Sequence, residues 1–512
     1  MDRYTQETCR WLELRFHPEM FAYYGREYDP YQPLHGVADG DWGPASFLMA
    51  SRLARLLAQL RAMRPSSFLD VGGAEGWVAR MVGEEIGIPS ASVDLSHQAA
   101  IRAREFSQVP AAAVDSARLP FKDDSFDVVF LSEVLEHLAN PVRSLLELRR
   151  VAKRAIIVTT EAFAPTEAAR RAELDERELE AHMDRSIFCP SDFDLVFKGY
   201  GLSIGNQCSD LPAPYPQTNE EARLALHQGL SHDALDWPAH GIVVVADLAG
   251  PPPDARPFLA ESVDIVAKWY APLRCEPKSP PSNDVPKFLM ERLRCPVTGS
   301  SDFAVQGDHL VVGEQRYLVA QGAPRLTTSP GEPSAHTLEQ CIAQAFPDDA
   351  SQLAALTELA EKLHFELPSP DLSLEFLKGS IEGWDTTESC QAKVVDGEVE
   401  VVAPGEDPKL ISPRVLHKMA DVAGFVIEIA ALDSEREVEE CQLYWYTLEK
   451  PVWWEFASAV HSYPADGKTH RLEFEVPDGF ETIAGDELLQ LRIDPLVGKG
   501  CARIQGFEII LK

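Results

Sequence analysis

The stretch Phe68-Leu-Asp-Val-Gly-Gly-Ala-Glu-Gly76, running into Trp77-Val-Ala-Arg-Met-Val-Gly-Glu-Glu-Ile86, decides the fold. An apolar strand that ends in Asp70, turns through Gly72 and Gly73 and enters a helix at Gly76 brings bare backbone against a ligand at the carboxyl edge of a parallel sheet. Alone the turn says little, because it lacks the full Gly-x-Gly-x-x-Gly spacing. Downstream the pattern repeats. Ser90 to Leu95 is a second strand pattern, and its Asp94 lies roughly 20 residues beyond the glycine turn, where a carboxylate holds a ribose diol. Val114-Asp115 closes a third, with Ser116 beside it. Ser125 to Ser132 carries Phe-Asp-Val-Val-Phe-Leu, the near-continuous apolar run of a strand buried on both faces.

Strands that alternate with helical stretches and end in acids give the region from about 66 to 160 its resemblance to a class I S-adenosylmethionine (SAM)-dependent methyltransferase. The similarity is to the broad group that includes the ubiquinone-pathway O-methyltransferases, and Ala117 to Asp127 matches the family's approach to its fourth strand. The resemblance implies a Rossmann-like sheet and SAM as cofactor. It places Asp70 with Gly72 and Gly76 at the methionine moiety, Asp94 at the ribose, and Asp115 with Ser116 at the adenine; Gly73, Leu95 and Ser132 join the cofactor set. One departure stands out: the middle glycine of the family's turn is Ala74, followed by Glu75. An alanine suits the turn only if its φ is negative.

The chemistry is expected at Glu133-Val-Leu-Glu-His137, immediately after the fourth strand. Methyl transfer to a hydroxyl needs an aligned acceptor oxygen and a group to take its proton, and an imidazole such as His137 can do so near neutral pH. The alternative for His137 is an imidazole hydrogen-bonded to a covering segment. His182 is a second catalytic candidate. Glu133, Glu136, His137 and His182 together also suit an octahedral Mg2+ or Mn2+. A similar Glu-x-x-Glu-His pattern with a distant His carries the metal in small-RNA terminal 2'-O-methyltransferases. Relatives with the same letters and no metal keep the opposite reading open.

Composition narrows the partners. With 81 Asp+Glu against 47 Lys+Arg, the formal net charge of -34 repels phosphate backbones and anionic membrane surfaces. The densest basic cluster, Arg149, Arg150, Lys153 and Arg154, reads as solvated cations around a helix C-terminus. Nucleic acid is therefore not expected as a substrate. Nine scattered cysteines argue against a disulfide framework, and no apolar run reaches the ~18 residues of a membrane span. The N-terminus lacks a signal peptide's apolar segment, so a cytoplasmic protein without membrane insertion is expected.

The chain divides, on these patterns, into six parts. Residues 1–65 read as a cap, with a helix over Leu48 to Met63; Tyr31, His35 and Trp42 either line a pocket or anchor a lid. Residues 66–250 hold the methyltransferase-like sheet, which ends in an antiparallel hairpin of Gly201 to Cys208 and Gly241 to Leu248. Residues 251–286 form a proline-rich linker. Residues 287–328, a helix, a Cys-Pro turn at Cys295 and a terminal Gly-x-Pro-Arg-Leu, resemble the small zinc-ribbon-like activator of tRNA and translation-factor methyltransferases. Thr298 stands where a second cysteine would complete Cys-x-x-Cys, so no zinc is expected. The module's expected job is to cover apolar surface of the methyltransferase or to shape its entrance, a docking site for another protein being the alternative. Residues 329–370 read as a linker with short helices. Residues 371–512 alternate as an antiparallel β-sandwich, with a hairpin across Asp396-Gly397, and resemble modules of bacterial polysaccharide-biosynthesis enzymes. Trp445, Trp453 and Trp454 either stack on sugar or fill the sandwich core.

The fold class expected is thus multidomain α/β plus β. The function expected is SAM-dependent O-methylation of a sugar hydroxyl in a bacterial glycan or glycosylated metabolite, with glycan-assembly proteins as partners. The alternatives are a non-catalytic SAM-binding scaffold and a protein methyltransferase.

Overall fold

Apolar runs in the first half of the chain become parallel strands because both of their faces are covered. The fold, given by a computed structural model, is described for residues 42–166, 168–170, 186–208, 214–230, 241–270, 284–328, 337–347, 349–364, 390–395, 398–404, 408–412, 417–447, 458–476 and 487–512, with positions 5, 8, 9, 12, 13, 16, 212, 385 and 386. The chain forms two units, divided near residue 366.

In the first unit the strands are β1 (Phe68–Val71), β2 (Ser90–Asp94), β3 (Ala111–Ala113), β4 (Phe126–Ser132), β5 (Ala152–Thr160), β6 (Gly201–Asn206) and β7 (Ile242–Asp247). They lie in the order β3-β2-β1-β4-β5-β7-β6, with β7 antiparallel to both neighbours. The strand order reverses between β1 and β4, which opens a crevice at their carboxyl ends. Successive side chains face opposite layers: Phe68, Val128 and Phe130 join one core, Leu69, Val129 and Leu131 the other.

The first layer contains α1 (Pro44–Met63), α2 (Trp77–Ile86) and α7 (Arg256–Trp269), and the second contains α4 (Pro141–Val151) and α5 (Pro190–Val196). Two helices named here, α3 (His97–Arg102) and α6 (Asn219–Gly229), flank them. Pro at the first turn starts α1 and α4, and the Asn140 side chain caps α4 by accepting from Arg143 N.

The helix over Leu48 to Met63 lies within α1, which packs beside the sheet, and Trp42 is buried there, 4.9 Å from the Tyr270 ring, its indole N–H donating to Asn219. It lines no pocket; Tyr31 and His35 lie outside the described residues. The proline-rich linker contains α7, whose Val263 and Val266 bury themselves beside α1. The second linker contains α9 (Leu338–Ala345) and α10 (Ala350–Leu363), whose apolar faces join the core under α4. In the first linker an i, i+3, i+4 apolar stripe outweighs the flanking prolines; in the second, where short helices were expected, the same kind of stripe buries them. The basic cluster differs as well. Arg149 lies between the rings of Tyr200 and Phe346, at 4.6 and 4.4 Å, and the nearly buried Arg150 pairs with Glu147 and Asp123.

Residues 287–328 form α8 (Lys287–Met290) and a four-stranded antiparallel sheet of β8 (Ala304–Gln306), β9 (His309–Val312), β10 (Gln315–Ala320) and β11 (Ala323–Pro324). Beyond β11, Leu326 N donates to Ala113 O, so the module continues the large sheet past its edge strand β3. Its Leu289, Leu293, Leu310 and Leu326 share the core beneath the large sheet, and His97 Nε2 donates to Ala323 O. Cys295 is buried, its Sγ 3.2 Å from the Tyr317 hydroxyl.

The second unit is a sandwich. Its sheets are β12 (Asp385–Thr386), β15 (Leu410–Ile411), β21 (Glu487–Asp494), β18 (Val438–Thr447) and β19 (Ser458–Pro464), with β16 (His417–Lys418) beside β21, and β13 (Gln391–Val395), β14 (Glu398–Ala403), β22 (Gly500–Leu511), β17 (Val422–Ser434) and β20 (His470–Glu475). Leu443, Trp445 and Leu491 of the first sheet meet Phe425, Ile427 and Ile504 of the second. Trp445 is 1% exposed and stacks on Phe425, so it fills the core and presents no face to a sugar. Trp453, Trp454 and the Asp396-Gly397 turn lie outside the described residues.

Candidate functional site

A cavity of about 130 Å³ opens at the switch point between β1 and β4. The turns after β1, β2 and β3 wall one side with Gly72, Asp94, Leu95, Asp115 and Ser116; the segment after β4 walls the other with Glu133, Val134, His137 and Leu138. Gly72 has φ +76, and a Cβ there would overlap the Val134 side chain, so both conformation and space require glycine.

Ala74 overturns the expectation of a negative φ. It sits at φ +46, a left-handed conformation costing about 1–2 kcal/mol for a residue with a Cβ. Its N–H donates to Asp94 Oδ2 over 3.0 Å, and its methyl packs against Phe16 and Ala99. Glu75 is fully buried and paired with Arg102 at 3.1 Å.

Asp94 is 7% exposed and accepts from two backbone amides, Ala74 N and Ser96 N, each at 3.0 Å. Burial pushes its carboxyl up to about 6; the two amides hold it down, and Glu75 and Glu13 add repulsion. One lone pair on each oxygen remains for a diol. Asp115 accepts from Ala117 N at 2.9 Å, and Ser116 Oγ lies 3.0 Å from Ser144 Oγ.

Other residues of the expected set stand back from the cavity. Asp70 is buried beneath the turn, where Oδ2 and the neighbouring Ser92 Oγ have no hydrogen-bond partner among the described residues; burial, then the Asp94 charge, pushes its carboxyl up to about 8. Gly73 crosses directly over these two side chains, and Gly76 lies against Val109. Ser132 Oγ donates to Thr159 Oγ1, 2.8 Å away, because the Thr159 hydroxyl in turn donates to Glu133 Oε1. None of the four lines the cavity.

The metal set does not assemble among the described residues. Glu133, at φ +50, spends its carboxylate on Thr159 Oγ1 at 2.8 Å, Arg52 at 3.2 Å and Glu161 N at 3.0 Å. Glu136 is buried outside the cavity wall, and His182 lies outside the described residues. No group of three or more His, Cys, Asp or Glu among the described residues is arranged to hold an ion. Of the set, Glu133 and His137 line the cavity, and the His137 backbone N–H donates to Val134 O in a tight turn.

The cap expected over residues 1–65 was read without naming the side chains that roof the cavity. Thr5, Thr8, Leu12 and Phe16 line the cavity, and the described positions 5, 8, 9, 12 and 13 are helical. Glu13 accepts from His97 N at 2.7 Å and Gln98 N at 3.1 Å. The i, i+3, i+4 spacing of Thr5, Thr8, Cys9, Leu12, Glu13 and Phe16 carries this signal in the sequence.

Residues 69–158 match the model of the methyltransferase domain family. The chain therefore carries a class I SAM-dependent methyltransferase domain, in the order of strands and at the switch point where such a domain holds its cofactor. Similar solved structures include the complex between a Haloferax volcanii methyltransferase activator and a methyltransferase (18% identity, 40% of this chain and 92% of that chain, TM-score 0.29). A Thermotoga maritima SAM-dependent methyltransferase is similar at 16% identity, over 39% of this chain and 92% of that chain, with a TM-score of 0.27. A Haemonchus contortus phosphoethanolamine N-methyltransferase, bound to S-adenosylhomocysteine, is similar at 17% identity, over 38% of this chain and 52% of that chain, with a TM-score of 0.27. Likenesses at this level carry no argument about the acceptor. No curated protein matches the chain.

Proposed function

We propose that the protein transfers a methyl group from SAM to a hydroxyl, with a sugar of a glycan or glycosylated metabolite as the acceptor class. The observation that carries the transfer is the single cavity that places the Asp94 and Asp115 strand tips on one wall and the His137 imidazole on the other. The sugar rests on the resemblance of the C-terminal sandwich to modules of polysaccharide enzymes.

The residues present fit the cofactor: Asp94 keeps free lone pairs for ribose hydroxyls, Gly72 leaves bare backbone for the methionine end, and Asp115 with Ser116 borders the adenine. When bound, SAM supplies a methyl group activated by its sulfonium. His137 takes the acceptor hydroxyl's proton as the new C–O bond forms, and Leu138 and the Thr5–Phe16 face exclude water. Glu133 does not act on the acceptor; it locks the loop that aims His137, through Arg52 and Thr159. No step is routed through a metal, because Glu133 is committed elsewhere.

The test is calorimetry with S-adenosylhomocysteine, followed by transfer of labelled methyl from SAM to a panel of free sugars, nucleotide sugars and oligosaccharides, with and without chelator. Binding with chelator-resistant transfer to a sugar supports the proposal. Binding with transfer only to protein side chains replaces the acceptor, and absence of binding removes the reading.

A further inference from the structure

Two residues interrupt the family's glycine turn, and both bear on the same neighbour. The Ala74 methyl, buried at a strained φ of +46, meets Phe16, which is fully buried. Glu75, fully buried as well, pairs with Arg102 at 3.1 Å, and the Arg102 guanidinium lies 5.9 Å from the Phe16 ring centroid. A glycine at position 74 would relieve the backbone and leave a gap beneath Phe16. A charge at position 75 has no reason to be buried unless its partner is held in place.

The same segment is fastened at two further points. Glu13 accepts from the first two amides of α3, and Cys9 Sγ lies 3.6 Å from Leu95 O, in the turn after β2. Leu95 and Ala74 wall the cavity together with Thr5, Thr8, Leu12 and Phe16. Strain at Ala74 persists because the surroundings over-determine it, as at other built sites.

We propose that Ala74, Glu75 and Arg102 are positioning residues that turn the glycine loop into a seat for Phe16, so that Thr5, Thr8, Leu12 and Phe16 are clamped over the methyl donor and slow its release. The inference rests on the SAM reading of the cavity. The Ala74-Glu75 departure is, on this account, an adaptation of the turn and no sign of lost chemistry.

Surface plasmon resonance on the full chain, with S-adenosylhomocysteine as the probe, tests it. Phe16→Ala and Glu13→Gln are expected to raise the dissociation rate by about tenfold with the association rate nearly unchanged, since altered contacts act chiefly on release. Phe16→Leu should restore most of the loss. Ala74→Gly is the decisive variant: it should speed release by about threefold while holding or raising the Tm, a split that a purely structural role does not produce. Wild-type release rates in folded Ala74→Gly overturn the clamp, even if Phe16→Ala fails to fold. A wild-type chain that does not bind the probe overturns the SAM reading and the clamp with it.

Discussion

The two walls of the cavity use their carboxylates in opposite ways. On the donor wall, Asp94 accepts two backbone amides and keeps lone pairs toward the cavity. On the acceptor wall, Glu133 is tied off by Arg52, Thr159 and the Glu161 amide. Both acids follow an apolar strand, and both line the same space. What separates them is the partner: backbone N–H groups orient a carboxylate without neutralising it, whereas a buried guanidinium consumes its charge. An acid at a strand tip is thus a ligand only when no cation reaches it first.

Four experiments break or sharpen that contrast. His137→Ala should lower turnover by about 10²–10⁴-fold, the range for a lost general base, with S-adenosylhomocysteine affinity within about twofold, measured by steady-state assay and calorimetry. Equal losses in both would make His137 part of the donor wall. Glu133→Ala leaves the buried Arg52 with the half-exposed Glu161 as its remaining carboxylate among the described residues, and should cost about 3 kcal/mol in the urea midpoint. If stability is unchanged and added Mg2+ no longer binds, the metal reading returns. Asp94→Asn should weaken S-adenosylhomocysteine by about 1.5–3 kcal/mol and, because one amide oxygen cannot accept from both Ala74 N and Ser96 N, should also cost about 1–3 kcal/mol in the urea midpoint.

The smallest effect is in pH. Asp70 and Asp94 hold protons more tightly when folded, near 8 and 6 against an ordinary 3.8, so the folded chain binds more protons than the unfolded one. Their contribution to stability is present below the ordinary value and is lost as pH rises through 6 and then 8. The cofactor-free protein should therefore lose Tm between pH 5 and pH 9, and Asp70→Asn should flatten the upper part of that decline. A Tm that rises over this interval in the wild type, with no difference in the variant, contradicts the burial of Asp70.

Much of the donor wall was legible because its information is local. The glycine turn, Asp94 and Asp115 lie at fixed offsets from apolar runs, and a parallel sheet brings all strand tips to one edge whatever else the chain does. The antiparallel β6 and β7 pair was readable from the same alternation. Ala74 was misjudged because local sterics disfavour its φ, while the gain that offsets the cost, a methyl on Phe16 and an amide on Asp94, comes from residues far along the chain. The helix in the first linker was missed for a related reason. Pro251 to Pro253 marks a break in the backbone, but the stripe that buries α7 shows only once α1 is beside it. Glu133, Glu136 and His137 look like ligands in a row; a tight turn puts Glu133 and His137 on the cavity and buries Glu136 outside its wall.

Residue type and spacing were enough to establish the sheet, its cofactor edge and the alternating strands of the second unit, since these follow from backbone periodicity and the need to bury apolar faces. Packing alone settled which acids stay open, which residues roof the cavity and where Trp445 goes. Those outcomes depend on which buried charge finds which partner across the chain, and a carboxylate's role is set by the company it keeps in low dielectric more than by its neighbours in sequence.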